Sequence, residues 1–144
     1  MVKITYTQEL MGTMALFDKI THVSLKDCFE DKHGLLTFVV NVQDLGKAIG
    51  KGAVCVRKLE QLLKRRIRII GFHPDLKEFI KYVIHPLQAT VEQEDTVLIL
   101  KNEDRKTKSL LIGRNAQNLR NTESIIQRYF PNIVEVKVVC GNIH

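Results

Sequence analysis

Cysteine is scarce in this 144-residue chain: Cys28, Cys55 and Cys140 are odd in number and widely spaced. That excludes a disulfide framework and a Cys-x-x-Cys metal or redox site, and the three read as small apolar residues. Three Pro and eight Gly exclude a collagen-like repeat, and an apolar content of 44% excludes disorder as the dominant state. No apolar run approaches the roughly 20 residues of a membrane helix; the longest, residues 35–42 and 96–100, are strand-sized. Residues 1–6 lack the apolar stretch of a signal peptide, so a cytoplasmic location and no membrane partner are expected. The histidines, His22, His33, His73, His85 and His144, show no metal-ligand spacing, and neither metal nor cofactor is expected. Gly46-Lys47-Ala48-Ile49-Gly50-Lys51-Gly52 fails as a phosphate-binding loop, which requires Gly-x4-Gly-Lys-Ser/Thr. A dinucleotide fingerprint fails too, since Ala53-Val54-Cys55 follows without a third Gly. No Ser/His/Asp or paired-carboxylate signature stands out, and no enzyme is expected.

What is present is positive charge and a repeat. There are 22 Lys and Arg against 16 Asp and Glu, a net of +6. Residues 1–72 hold 12 of these cations against 7 acids, and residues 73–144 hold 10 against 9, so the field is concentrated in the first half. Small basic cytosolic proteins often meet nucleic acid. The repeat sets Ala48-Ile49-Gly50-Lys51-Gly52-Ala53-Val54-Cys55-Val56-Arg57 against Leu111-Ile112-Gly113-Arg114-Asn115-Ala116-Gln117-Asn118-Leu119-Arg120, 63 residues later.

The flanks repeat in the same order. Leu10, Met14 and Phe17 lie near one helical face within residues 7–20, with Thr5 or Thr7 placed to cap. Leu76, Phe79, Ile80 and Val83 follow the i, i+3, i+4, i+7 pattern, with Pro74 suited to the first turn. A β-hairpin follows each helix, pairing residues 23–29 with 35–42 and 87–93 with 96–101. Next come a short helix (44–49 or 104–112), the glycine turn, a longer helix (53–64 or 116–129) and a strand (67–72 or 133–139). Arg66 and Arg68 alternate with Ile67 and Ile69 in the first of these strands, the period of a half-buried strand. Each half reads α-β-β-α-α-β in about 70 residues, marginal alone by surface-to-volume scaling. The α+β fold class follows, as two domains, 1–72 and 73–144, expected to pack as one rigid unit. The residues fix no oligomeric state.

An Ile-Gly turn between two helices, the second ending before a strand, resembles the KH RNA-binding module, and the closing strand resembles its type II, prokaryotic form. Two such modules over residues 3–140 look like the archaeal form of the transcription factor NusA. The resemblance implies that each turn clamps the backbone of about four nucleotides of single-stranded RNA. It implies a role in transcription elongation, termination or antitermination, with RNA polymerase as a candidate partner. Carried onto this chain, the RNA-binding residues are Ile49, Gly50, Lys51, Gly52, Ala53, Arg57 and Lys58, with Ile112, Gly113, Arg114, Asn115, Ala116 and Arg120. Ile49, Val56, Ile112 and Leu119 are expected at the edge of the base groove or in the core beneath it.

The physical account at this stage is steric and electrostatic. A Cβ at the turn is expected to obstruct the approach of RNA, and Gly permits φ > 0. The next helix offers unpaired N–H groups and its positive dipole end to phosphate, and Lys51 and Arg114 supply cations. One departure stands out: the usual fourth residue of the turn, a Gly, is Ala53 in one half and Ala116 in the other. Ala either starts the following helix or crowds a phosphate. Asn115 replaces Gly52 in the second turn, and Asn tolerates the left-handed region. Arg57, Lys58, Lys64, Arg65, Arg66 and Arg68 can also be read as a solvated helix end and polar strand face, with RNA contact expected of Arg57 and Lys58, nearest the turn, ahead of the other four; Lys101, Arg105, Lys106 and Lys108 lean towards an anionic partner. Gly50→Asp with Gly113→Asp is expected to abolish binding and spare the fold. Two other readings use the same residues: a KH protein of ribosome assembly, and a degenerate KH scaffold that binds protein, motivated by the two alanines.

Overall fold

The computed structural model describes residues 7–140. Helix α1 (Gln8–Thr21) opens on Thr7, whose side-chain oxygen accepts from the Leu10 amide at 3.1 Å; Thr5, the other candidate cap, lies outside the described residues. Strands β1 (Leu25–Glu30) and β2 (Leu36–Asn41) follow, then a 3-10 turn (Val42–Asp44) and helix α2 (Leu45–Ile49). A second 3-10 turn (Lys51–Ala53) leads into α3 (Val54–Leu63) and β3 (Ile67–Phe72). The order then recurs as α4 (Leu76–Ile84), β4 (Thr90–Glu94), β5 (Val97–Asn102), α5 (Arg105–Ile112), a 3-10 turn (Arg114–Ala116), α6 (Gln117–Tyr129) and β6 (Glu135–Cys140).

Two boundaries differ from expectation. Pro74 precedes α4 rather than sitting in its first turn: Asp75 is the cap, because its carboxylate accepts from the otherwise unpartnered Lys77 amide at 3.0 Å. Strand β4 starts at Thr90, three residues later than the apolar pattern suggests, because the Leu87 amide turns back onto the Ile84 carbonyl at 2.9 Å.

Both sheets are mixed and three-stranded. β2 is central, antiparallel to β1 and parallel to β3, and β5 stands likewise between β4 and β6. A parallel pair needs a crossover between its strands. In each sheet that crossover is the two-helix segment carrying the glycine turn, which places the turn beside the sheet, outside the hydrogen-bonded ladder.

The described chain separates into two compact units, one built on α1–α3 and β1–β3, the other on α4–α6 and β4–β6 together with Asp31–His33. The core of the first unit holds Phe17, Val23, Cys28, Leu36, Phe38, Val40, Ala48, Leu59 and Ile67. Phe17 and Phe38 stack there with centroids 4.5 Å apart, and full burial of each such side chain is worth about 1.5–3 kcal/mol. In the second unit Leu76, Phe79, Ile80 and Val83 are all buried, as their spacing predicts. Phe79 meets the Tyr129 ring edge-on at 5.5 Å and the Phe130 ring at 5.9 Å. No helix among the described residues is long and apolar enough to cross a membrane.

Candidate nucleic-acid interface

The two turns share one backbone. Gly50 ends α2 at φ 81°, ψ 161°, its amide donating to the Gly46 carbonyl at 3.0 Å. Gly113 ends α5 at φ 75°, ψ 174°, its amide donating to Ser109 at 2.8 Å. Two successive left-handed residues follow in each: Gly52 (φ 63°) and Ala53 (φ 62°), then Asn115 (φ 56°) and Ala116 (φ 61°). The alanines therefore do not start the helices; each is the residue before one, with its amide donating back to Gly50 or Gly113 at 3.0 and 3.2 Å. The left-handed conformation costs a side-chain-bearing residue about 1–2 kcal/mol, which explains why Gly is the usual residue of the motif at this position. Asn115 takes the same region as Gly52, as its side chain allows.

The steric role expected of Gly50 and Gly113 is corrected. A Cβ on Gly50 stands 2.8 Å from Val54 Cγ1 and 2.9 Å from Cys55 Sγ; one on Gly113 stands 2.6 Å from Asn118 Cγ. These glycines make room for the chain's own following helix, not for a ligand. Substitution to Asp is consequently expected to disturb the turn itself, so the double variant is not a clean test of binding. The open positions are the two middle residues. A Cβ on Gly52 meets nothing within 4 Å, and Lys51, Gly52, Arg114 and Asn115 are all exposed.

The helices beyond the turns lack side-chain caps, as does the short α2. Helices α1, α4 and α5 start on Thr7, Asp75 and Asp104, each of which accepts from an amide of its first turn. At α3 and α6 the capping position is Ala53 or Ala116, which has no acceptor. Replacing a capping side chain by Ala typically forfeits about 1 kcal/mol. The Val54 and Gln117 amides turn back onto the Lys51 and Arg114 carbonyls, and the positive dipole ends of these two helices have no capping side chain, at solvent-exposed turns.

Arg57, Lys58 and Arg120 are exposed beside the turns, and Ile49, Ile112, Val56 and Leu119 are half-buried; Val56 packs on the core. The outlying cations are divided. Arg65 pairs with Glu30 at 2.7 Å and donates to the Gly34 carbonyl at 2.8 Å. Lys101 pairs with Glu92 across the β4–β5 ladder at 2.8 Å. Both have partners within the fold and lie apart from the turns. Cys28 is buried and Cys55 half-buried, both as free thiols; no group of His, Cys, Asp and Glu able to hold a metal occurs among the described residues.

Three residues at the site escape a reading of the motif alone. Glu60 accepts the Ile67 amide at 3.1 Å and Glu123 the Val136 amide at 3.0 Å, so each long helix grips the strand that follows it. Asn118 donates to the Leu110 carbonyl at 2.8 Å and ties α6 back to α5. The repeat held the signal for the glutamates: Arg57-x-x-Glu60 and Arg120-x-x-Glu123 extend it by one helical turn.

No protein-family model matches the chain. It is 29% identical to a "Probable transcription termination protein NusA" of Methanocaldococcus jannaschii, covering 99% of this chain and 79% of that protein. Proteins of the same name from Halobacterium salinarum and Thermoplasma acidophilum are 25% and 24% identical, covering 88% and 95% of this chain and 93% and 98% of their own. A solved structure, "Crystal structure of APE1850", superposes with a TM-score of 0.70 at 23% identity over 94% of this chain and 99% of its own, which shows a shared fold. Over most of its length the chain is therefore similar to several archaeal proteins that carry the name NusA.

Proposed function

We propose that the chain is a pair of type II KH modules that binds single-stranded RNA at both turns and acts on the nascent transcript in elongation, termination or antitermination. RNA polymerase is its proposed partner, and its action is binding, not catalysis. The observation that carries this reading is the one made twice: a long helix left without a side-chain cap, behind an exposed turn bearing a cation at its middle. Of the other helices α1, α4 and α5 are capped by Thr and Asp side chains, and the five-residue α2 is not. A stability cost repeated at two equivalent places marks a functional position. Uncapped helix amides suit phosphate, and Lys51 and Arg114 add charge where a backbone could approach. Few aromatic residues lie near either turn, so backbone clamping with modest sequence preference follows in place of base stacking. The names of the relatives supply the transcriptional context.

The test is a titration of labelled single-stranded RNA at two salt concentrations. If four phosphates are neutralised, the logarithmic salt slope is about −3. Because Gly50 and Gly113 are packed against their own helices, the informative variant is Lys51→Glu with Arg114→Glu, at exposed positions. Loss of at least about tenfold in affinity with an unchanged melting transition is expected, each change removing one phosphate contact and adding a repulsion. A wild-type chain that shows no RNA affinity at low salt refutes this reading and favours the protein-binding scaffold.

A further inference from the structure

The equivalent arginines of the two turns hold different partners. Arg57 and Arg120 each occupy the fourth position of their helix, three residues before a glutamate that grips the next strand. Arg57 turns back and donates through Nη1 to the Gly52 carbonyl, the peptide group joining the two left-handed residues. That acceptor is neutral, and among the described residues no carboxylate pairs with Arg57. Its charge is uncompensated and its remaining N–H donors are available. Arg120 points the other way, with Nη1 3.2 and 3.4 Å from the two oxygens of Glu123. Glu123 is itself fixed by the Val136 amide, and its side chain is 15% exposed against 52% for Arg120. Among the described residues no side chain donates to the Asn115 carbonyl, so the second turn lacks the strap of the first.

We infer that the two turns are unequal phosphate sites: Arg57 both positions the first turn and contacts phosphate there, whereas Glu123 competes with phosphate for Arg120 and attenuates the second. This rests on the RNA-binding reading above and adds to it an internal competitor at one site. The restraint is modest, since a pair this exposed holds its arginine by no more than about a factor of five. Glu123 thereby serves two ends, holding β6 and damping the charge at the turn, and the two can be separated. Gln at position 123 keeps an oxygen for the Val136 amide while removing the charge that holds Arg120.

The experiment titrates a labelled single-stranded oligouridylate against the full chain and its Arg57→Ala, Arg120→Ala and Glu123→Gln variants, at low and moderate salt, with a melting curve for each. Arg57→Ala is expected to lose about tenfold in affinity and to flatten the logarithmic salt slope by about 0.7, one phosphate contact on a single strand. Arg57→Lys restores the slope. Arg120→Ala costs less than about twofold, and Glu123→Gln gains about threefold, the restraint having been lifted. Equal losses from the two alanine variants overturn the inference, as does a Glu123→Gln chain with wild-type affinity. So does an Arg57→Ala chain that melts earlier with its salt slope intact, which would reduce Arg57 to a structural strap. In each of those cases the wild-type chain still binds RNA and the reading above survives; a wild-type chain without affinity removes both.

Discussion

The first sheet and the second are built to one plan and are finished differently. β2 is buried at five consecutive positions, from Leu36 to Val40. Its counterpart β5 alternates, with Leu98 and Leu100 buried and Val97, Ile99 and Lys101 half-buried. β1 buries Asp27, Cys28 and Phe29, while β4 has four exposed positions in five. The turns diverge in the same manner: Cys55 lies against Gly50 where Asn118 lies against Gly113, and Arg57 reaches a carbonyl where Arg120 reaches a carboxylate. Duplication has preserved the backbone of the element that meets the proposed ligand, down to paired left-handed residues, and has let its supporting side chains drift. The conserved part is therefore the geometry of the turn, and the adjustable part is its packing and charge.

Four measurements press on that comparison. The largest effect is expected from the glycines. Gly50→Ala meets Val54, Cys55 Sγ and the Cys55 backbone at 2.8–3.1 Å in a conformation reserved for Gly, and should cost about 3 kcal/mol in denaturant unfolding. For Gly113→Ala the three nearest contacts are all to the Asn118 side chain. This substitution should cost about 2 kcal/mol, because that side chain can yield by giving up its bond to Leu110. Equal costs would show that packing under the two turns is equivalent after all.

Next come the strand grips. Glu60→Ala leaves the Ile67 amide without its acceptor and should cost about 1.5 kcal/mol. Glu123→Ala does the same to Val136 and also frees Arg120. Its stability loss should match that of Glu60→Ala while its RNA affinity rises, a divergence the first unit should not show. Smaller still is the gain from Ala53→Gly or Ala116→Gly. Relief of the left-handed strain is partly offset by the entropy of a freer unfolded chain, for a net stabilisation below about 1 kcal/mol. Since both alanines share one conformation, the two gains should agree.

The smallest effect concerns pH. The Thr107 hydroxyl, and then the Thr107 amide, hold the exposed Asp104 carboxyl below the usual carboxylate range. A carboxyl depressed in the folded state stabilises above its unfolded pKa, and that contribution is lost as pH falls through the folded value. Amide protection at the start of α5, taken relative to the intrinsic exchange rate at each pH, should accordingly fall in acid, and Thr107→Val should reduce the change.

Much of this molecule was legible before any coordinates. The apolar spacing of Leu76, Phe79, Ile80 and Val83 gave a helix and its buried face, because burial at a 3.6-residue period leaves a direct trace in residue type. The repeated Ile-Gly turn located both helix junctions, because few residues other than Gly occupy such a backbone. Thr7 was readable as a cap for the same local reason. The start of β4 was misplaced because Leu87 is apolar in a turn, where its side chain says nothing of its hydrogen bonds. The role of Gly50 was misread because a missing Cβ looks the same whether the space is used by a ligand or by Val54.

By itself the sequence determined the element order, the duplication, the excess of charge in its first half and the two places where a turn must be glycine-bearing. Those properties depend on neighbours within a few residues, or on composition, and both are written along the chain. Tertiary structure alone decided that Gly50 and Gly113 serve their own helices, that Ala53 and Ala116 are left-handed, and that identical Arg-x-x-Glu spacings put one arginine on a carbonyl and the other on a carboxylate. Each of those outcomes turns on distances and dihedral angles within the folded turn, where several partners of similar energy compete for the same group. Residue identity names the competitors, and only the three-dimensional arrangement selects among them.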